Sequence, residues 1–581
     1  MDQLLDTLKS YWNYNSFRPM QREIIESVLQ GNDTFALLPT AGGKSLCFQV
    51  PTMMNPGLCL VVSPLIALMK DQVARLRQKN ITAFAIHTGM SRKEVIDTLE
   101  VATSSNCKFL YVAPERLENS LFKEYLPALG VSLIAVDEAH CISQWGYDFR
   151  PAYLRIASLR DELPDVPLLA LSASATPLVQ KDISKQLLIK DPKIFHLPFA
   201  RQNLSYSAFL VDNKLEKITR IANSVEGSGI IYCKSRRQCE QISEELNNLG
   251  FNSQFYHAGL PILERNQRQE DWMKNKTRIM VCTNAFGMGI DKSEVRFVIH
   301  AHMPDCLENY YQEAGRAGRD NLKAFAVLLY SDPDVETLKG LPELRFPPID
   351  EIRQVYQALV NYLQIPAGGG EGLYFPFDLK EFASRFRLNT FRVDYALKIL
   401  QSEGLLVWNE QISLPSKVAF SCSKEFLRQF EQQYPGLEPT IAALLRTYPG
   451  IFDQEVKIRE RTISQVLAKS DAEITADLQV LHAHSIIAFQ PRREKPQVFF
   501  LQPRPAIEDM KINEVAYAQR KKAFQLRMET MVDYAEADKG CRSVYIGNYF
   551  GDAELNPCGS CDLCLAAKKR ASSQGKLDLL S

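Results

Sequence analysis

The sequence predicts an α/β protein: two successive parallel-sheet domains, then winged-helix-like modules, then a small helical end that carries a zinc-type cysteine set. Three observations carry that prediction. Apolar runs alternate with helical stretches over residues 1–340, the alternation stops there, and Cys541, Cys558, Cys561 and Cys564 gather near the end of the chain. Over about residues 1–205 the runs are FALLP, LCLVVSP, KFLYVAP, LIAVD and LLALSA; over about 206–340 they are GIIYCK, RIMVCT, FVIHA and AVLLY. Continuous apolar runs separated by helices read as strands buried on both faces, so each series predicts a parallel sheet with right-handed crossovers.

Ligands of such sheets bind beyond the C-terminal ends of the strands, where the polar motifs of this chain fall. The first is LLPTAGGKSLC at 37–47, in which Thr40, Gly42, Gly43, Lys44 and Ser45 form a strand-to-helix turn. Backbone N–H groups of such a turn converge on nucleotide phosphates; Lys44 adds a positive charge and the Ser45 hydroxyl can ligate Mg²⁺. The pattern is incomplete at Leu38, where a phosphate loop usually has Gly. The second motif follows the apolar run 133–136 with Asp137 and Glu138. An acidic residue at that place holds Mg²⁺ through water, and its neighbour polarises the attacking water, so Asp137 takes the first role and Glu138 the second. The third motif is QEAGRAGR, which spaces Gln312, Arg316 and Arg319 on one face of a predicted helix. It lies in a domain with no phosphate loop of its own, so its guanidinium can reach a γ-phosphate across a cleft. Arg319 is the expected arginine finger, with Arg316 assisting.

DEAHCISQWGYDFRPAY resembles the RecQ family of superfamily 2 DNA helicases, in which an aromatic-rich loop follows the acidic box. Further blocks similar to that family occur in the same order: FRPMQ (17–21), VVSPLIALMKDQV (61–73), YVAPERL (111–117), ALSASATP (170–177), FARQNL (199–204), IIYCKSRRQCE (230–240), VCTNAFGMGIDKSEVRFVIH (281–300) and QEAGRAGRD (312–320). The resemblance implies two RecA-like domains at 1–205 and 206–340 and ATP with Mg²⁺ as cofactors. It also assigns Tyr14, Arg18 and Gln21 to the adenine, as stacking ring, guanidinium plane and edge-reading amide. The loop residues Trp145, Tyr147, Phe149 and Arg150 would stack on or grip single-stranded DNA close to Glu138, reporting strand occupancy to the ATPase. Relatives commonly carry His where this chain has Tyr147, and a phenol does not titrate near neutrality.

Residues 341–420 and 421–510 read as two winged-helix-like modules, each ending in a hairpin, VWNEQISLPSKVAF in the first and AFQPRREKPQVFFLQP in the second. Arg492, Arg493 and Lys495, at the second hairpin's turn, are the expected phosphate contacts. Residues 511–570 form the cysteine module. C-x16-C-x2-C-x2-C suits a tetrahedral Zn²⁺, and an iron–sulfur cluster accepts the same ligands. Such a module commonly follows the helicase core directly, so the intervening winged-helix segments make an unusual order. The tail 571–581 reads as disordered.

Composition bounds the partners. Lys+Arg and Asp+Glu are equal at 68 each, so any grip on DNA comes from local grooves and loops. No apolar run approaches the roughly 20 residues that span a bilayer and the N-terminus has no signal-peptide pattern, so a cytoplasmic, nucleoid-associated or nuclear chain is expected, with no membrane partner. The resemblance then implies an ATP-dependent 3′–5′ DNA helicase of recombination and repair. It would act as a monomer on single-stranded and partly duplex DNA, with single-strand-binding or repair proteins as further partners. An ATP-gated nucleic-acid scaffold and an RNA helicase are the alternatives.

Overall fold

The computed structural model describes all residues except 1, 41, 88, 91, 288, 289, 291, 410–415, 453, 492–495, 554 and 578–581. Arg492, Arg493 and Lys495 therefore lie outside the described residues. The chain divides into two compact units, Met1–Pro342 with Ala518–Ser581, and Glu343–Tyr517.

The first unit holds both parallel sheets. Seven strands, β1 (Thr34–Leu37), β2 (Leu58–Val62), β3 (Ala83–Ile86), β4 (Phe109–Val112), β5 (Val131–Val136), β6 (Leu168–Ser172) and β7 (Lys193–His196), form one sheet in the order 3-4-2-5-6-1-7. All its pairings are parallel. Its central strands β1, β2, β4 and β6 are buried along their whole length, because helices cover both faces. The second sheet is likewise parallel: β8 (Leu204–Leu210), β9 (Ser228–Tyr232), β10 (Ser253–Tyr256), β11 (Ile279–Cys282), β12 (Val295–His300) and β13 (Ala324–Tyr330) lie in the order 10-11-9-12-13-8.

The cysteine module belongs to this unit, and it covers the free edge of β8. Ala208 N–H donates to Asp562 Oδ2 at 3.0 Å and the Ser205 hydroxyl to the Ser560 carbonyl at 2.7 Å. Phe550 stacks on Phe199 at 4.4 Å, and the Phe199 N–H donates to Asp552 at 2.7 Å. An exposed strand edge is a template for unwanted pairing, and this one is closed by side chains and a carbonyl. The module's last helix runs Asp562–Leu577, past residue 570 and into the segment read as disordered. Its Ala, Lys and Gln residues are good helix formers, which composition-based reading underweighted.

The second unit departs from the sequence reading in its strand pairing. β14 (Tyr374–Pro376), β15 (Leu406–Asn409) and β19 (Gln497–Phe500) form one antiparallel sheet, while β16 (Ser416–Phe420), β17 (Val456–Ile458) and β18 (Ile487–Gln490) form another. Neither expected hairpin closes on itself: β15 pairs with β19 and β16 with β18. The two modules are therefore nested rather than consecutive, the second filling the place of the first one's wing. Each keeps its own core, around Leu359, Leu397 and Phe500 in the outer module and around Ile441, Leu478 and Ile487 in the inner one.

Candidate active site and metal centre

β1 ends at the phosphate-loop turn, and the helix Leu46–Met54 begins immediately after Ser45. Gly43 takes φ +76°, and a Cβ there would collide with the Gln21 amide. That amide is itself engaged: Nε2 donates to the carbonyls of Gly43 at 3.0 Å and Gly42 at 3.4 Å, while Oε1 accepts from Arg18 N–H at 2.9 Å. Gln21 thus shapes the turn as well as lining the neighbouring space.

β5 delivers Asp137 and Glu138 opposite Lys44, whose Nζ lies 3.8 Å from Glu138 Oε1. Glu138 adopts φ 47°, a left-handed conformation that costs energy for a non-glycine residue and turns its side chain into the cleft. Burial pushes the Glu138 carboxyl up, but the positive charges around it, Lys44 foremost and Arg316 with it, outweigh burial and hold the group below its usual range. Asp137 moves the other way, pushed up to about 6 by burial and by its charged neighbour Glu138 against the pull of Lys44. Glu138 is the more readily ionised member of the pair. Ser45 and Asp137, which line the same cavity, carry oxygen donors of the hard type that Mg²⁺ favours.

The second domain brings its motif to the same place. The helix Leu307–Ala314 carries Gln312, but it ends before Arg316 and Arg319, so the three do not share a helix face as the spacing suggested. Gly315 caps the helix and Gly318 follows at φ 61°, so the arginines sit on a tight turn. Thr40, Gly42, Gly43, Lys44, Ser45, Asp137, Glu138, Gln312, Arg316 and Arg319 nonetheless line one cavity of about 210 Å³. Tyr14, Arg18 and Gln21 line an adjoining cavity of about 630 Å³, together with Gly43, Ser45 and Arg319. Two contacts unread in the sequence hold the turn. The Thr40 hydroxyl donates to the Gly315 carbonyl at 3.3 Å, and Arg201 donates to the carbonyls of Gly315 at 2.9 Å and Gly318 at 2.5 Å. The only signal for Arg201 was its place in FARQNL, at the junction between the two strand series.

The aromatic loop is drawn toward the acidic box. Tyr147 stacks on His140 with ring centroids 5.0 Å apart, and Trp145 packs against the core beneath the first sheet. Arg150 pairs with Asp148 at 3.1 Å and donates to the Pro64 carbonyl at 3.1 Å, while Phe149 is half-buried. Arg527, from the helix Glu514–Glu536, donates to the Trp145 carbonyl. Nothing in the sequence around Arg527 marked it, since a lone Arg on a polar helix reads as a solvated charge.

The four cysteine sulfurs lie within 4.8 Å of one another. Sulfurs of a tetrahedral Zn²⁺ shell with bonds of about 2.3 Å sit about 3.8 Å apart, so the set fits a four-thiolate Zn²⁺. Backbone N–H groups point at the sulfurs: Cys558 N–H at Cys541 Sγ (3.2 Å), Cys561 N–H at Cys558 Sγ (3.3 Å) and Cys564 N–H at Cys561 Sγ (3.4 Å). Burial opposes ionisation of Cys558, yet the Ser560 and Cys561 amides and the Ser543 and Ser560 hydroxyls bring its thiol down to about 6. Arg542 anchors the module by donating to Asp562 at 3.1 Å and to the carbonyls of Tyr534 and Ala537.

Comparisons with known proteins agree along the chain. Residues 18–183 match the DEAD/DEAH box helicase family and 213–321 the helicase conserved C-terminal domain. Residues 418–491 match the RecQ helicase winged-helix domain of Bacteroidota, and 504–565 the RecQ zinc-binding family. The 418–491 match coincides with the inner of the two nested modules. The ATP-dependent DNA helicase RecQ of Pasteurella multocida is 42% identical over 331 residues, 57% of this chain and 52% of that protein. The Bacillus subtilis protein of the same name is 42% identical over 339 residues, 58% of this chain and 57% of its own length. The chain thus spans little more than half of these relatives. The probable ATP-dependent DNA helicase RecS of Bacillus subtilis is 39% identical over 365 residues, which cover 62% of this chain and 73% of that protein. With its two sheets, its cysteine module and these matches in register, the chain belongs to the RecQ family of helicases.

Proposed function

We propose that the protein is an ATP-dependent DNA helicase that couples hydrolysis to 3′–5′ movement on single-stranded DNA. The observation that carries this reading is the composition of one cavity wall. Lys44 and the ionised Glu138 come from the first domain, and Arg316 and Arg319 come from the second. A site completed by two domains ties hydrolysis to their relative movement, which a stepping motor requires and a simple nucleotide-binding protein does not. In this reading Ser45 and Asp137 hold Mg²⁺, Gln21, Tyr14 and Arg18 receive the adenine, and Arg319 meets the γ-phosphate. Trp145 and Phe149 of the aromatic loop serve the strand. The substrates are single-stranded and partly duplex DNA in the cell's DNA compartment, in recombination and repair. Single-strand-binding or repair proteins would be its partners, and the working form is a monomer.

ATP hydrolysis with and without single-stranded DNA, and unwinding of 3′- and 5′-tailed duplexes, test the reading. Lys44→Ala should weaken nucleotide binding, whereas Glu138→Gln should bind ATP and lose turnover. Stimulation by RNA equal to that by DNA, or unwinding from 5′ tails only, would refute it.

A further inference from the structure

His140 is fully buried behind Glu138 and belongs to a chain of polar groups that crosses from the second domain to the acidic box. Gln312 Nε2 donates to Ser174 Oγ at 2.7 Å. The Ser174 hydroxyl lies beside the Tyr147 phenol, whose oxygen is 2.9 Å from His140 Nε2. The other imidazole nitrogen, Nδ1, faces Ser172 Oγ at 3.1 Å and Glu138 Oε2 at 3.4 Å. Glu138 Oε2 is buried, with no hydrogen bond from any described residue.

The two ends fix the direction of donation along this chain. An amide nitrogen can only donate, and an ionised carboxylate can only accept. Ser174, receiving a hydrogen from Gln312, is left to turn its own toward the phenol oxygen; the phenol then gives its hydrogen to His140 Nε2. Burial keeps both rings neutral, lowering the imidazole's affinity for a second proton and raising the phenol's hold on its own. A neutral imidazole that accepts at Nε2 carries its hydrogen on Nδ1, the atom facing Glu138.

We propose that Tyr147 is a positioning residue: its phenol fixes the tautomer of His140 so that Nδ1–H orients the water-polarising carboxylate of Glu138, and it does so while Gln312 of the second domain holds Ser174. The inference rests on the ATPase reading given above. It makes the aromatic loop part of the hydrolytic apparatus from within. It also gives a reason for a phenol at this position, since a Tyr donor does not depend on pH near neutrality, whereas a histidine's does.

Tyr147→Phe keeps the ring and removes the donor, and Ser174→Ala breaks the same chain one link earlier. Each should lower kcat for DNA-stimulated hydrolysis about 10- to 100-fold, the range of a lost hydrogen bond to a charged group, and move KM for ATP and the Kd for single-stranded DNA by less than about twofold. The double variant should be no slower than the slower single, because both act through His140. Tyr147→Phe within about threefold of the parent kcat would overturn the proposal, as would a double-variant loss equal to the product of the two singles, or a loss confined to DNA affinity. Glu138→Gln separates the two levels. If it still turns over ATP, the ATPase reading fails; if it is dead while Tyr147→Phe is unaffected, only the relay fails.

Discussion

At the scale of single residues, the site depends on a close approach that only glycine permits. A Cβ on Gly315 would run into the Thr40 side chain. Gly315→Ala should therefore push the turn that bears Arg316 and Arg319 away from the phosphate loop. Small displacements of a reacting group cost about 10²-fold in rate, so turnover should fall by about that much while ATP still binds. Single-turnover hydrolysis beside a fluorescent-nucleotide titration measures both, and an unchanged rate would mean that the turn is not held where the hydrogen bond places it. The residue types of this site were legible because phosphate chemistry leaves few choices: Lys and Ser after glycines, and paired acids after a buried strand. Its geometry was less so. QEAGRAGR looked like one helix because its polar residues keep helical spacing, yet two glycines three apart end the helix and let carbonyls accept from Arg201. Arg201 and Arg527 were missed for a common reason: both act by donating to backbone carbonyls, and a carbonyl has no sequence signature.

Among the elements, the strands read from sequence are the interior ones of both sheets. Those missed, β3, β7, β8 and β10, are the four edges. An interior strand is covered on both faces and becomes a continuous apolar run, whereas KIFH in β7 has Lys193 and Ile194 exposed and looks like loop. The two winged-helix modules differ in the helix each would present to a duplex. In the outer module the helix Thr390–Ser402 follows the end of the helix Leu379–Arg385 and a short turn, which bear exposed Arg385 and Arg387. In the inner module the helix Asp471–Ala483 opens with Asp471 and Glu473, carries Asp477 and has no Lys or Arg. A phosphate backbone favours the first. Replacing Arg385 and Arg387 together by Glu should weaken duplex binding at low salt and flatten the slope of log K against log salt by about two. Neutralising Asp471 and Glu473 should not weaken it. Anisotropy over a salt series decides the matter, and an unchanged slope for the arginine pair would exclude them as phosphate contacts.

For the molecule as a whole, the cysteine module acts as a staple between distant parts of the chain. It reaches β8 and Phe199 by hydrogen bonds and stacking, and the aromatic loop through Arg527. Zn²⁺ affinity in such modules is folding free energy. Cys561→Ser should remove the metal, expose the β8 edge and promote self-association, while the parallel sheets, with their own interiors, stay folded and bind nucleotide. Elemental analysis, light scattering and a fluorescent nucleotide test this; a variant that keeps its metal and stays monodisperse would refute it. The nested modules carry a different consequence, concerning order in time. β15 leaves the ribosome long before its partner β19, so the outer sheet must stay open until the whole inner module has been made. If the inner module folds first, it shortens the wait by holding the two ends of the open sheet near each other, much as a closed clasp shortens a necklace. Asn409 and Gln497 already face each other as the last pair of that sheet. Everything between them is thus a removable cassette: a tight Asn-Gly turn in its place would return the outer module to an ordinary hairpin wing.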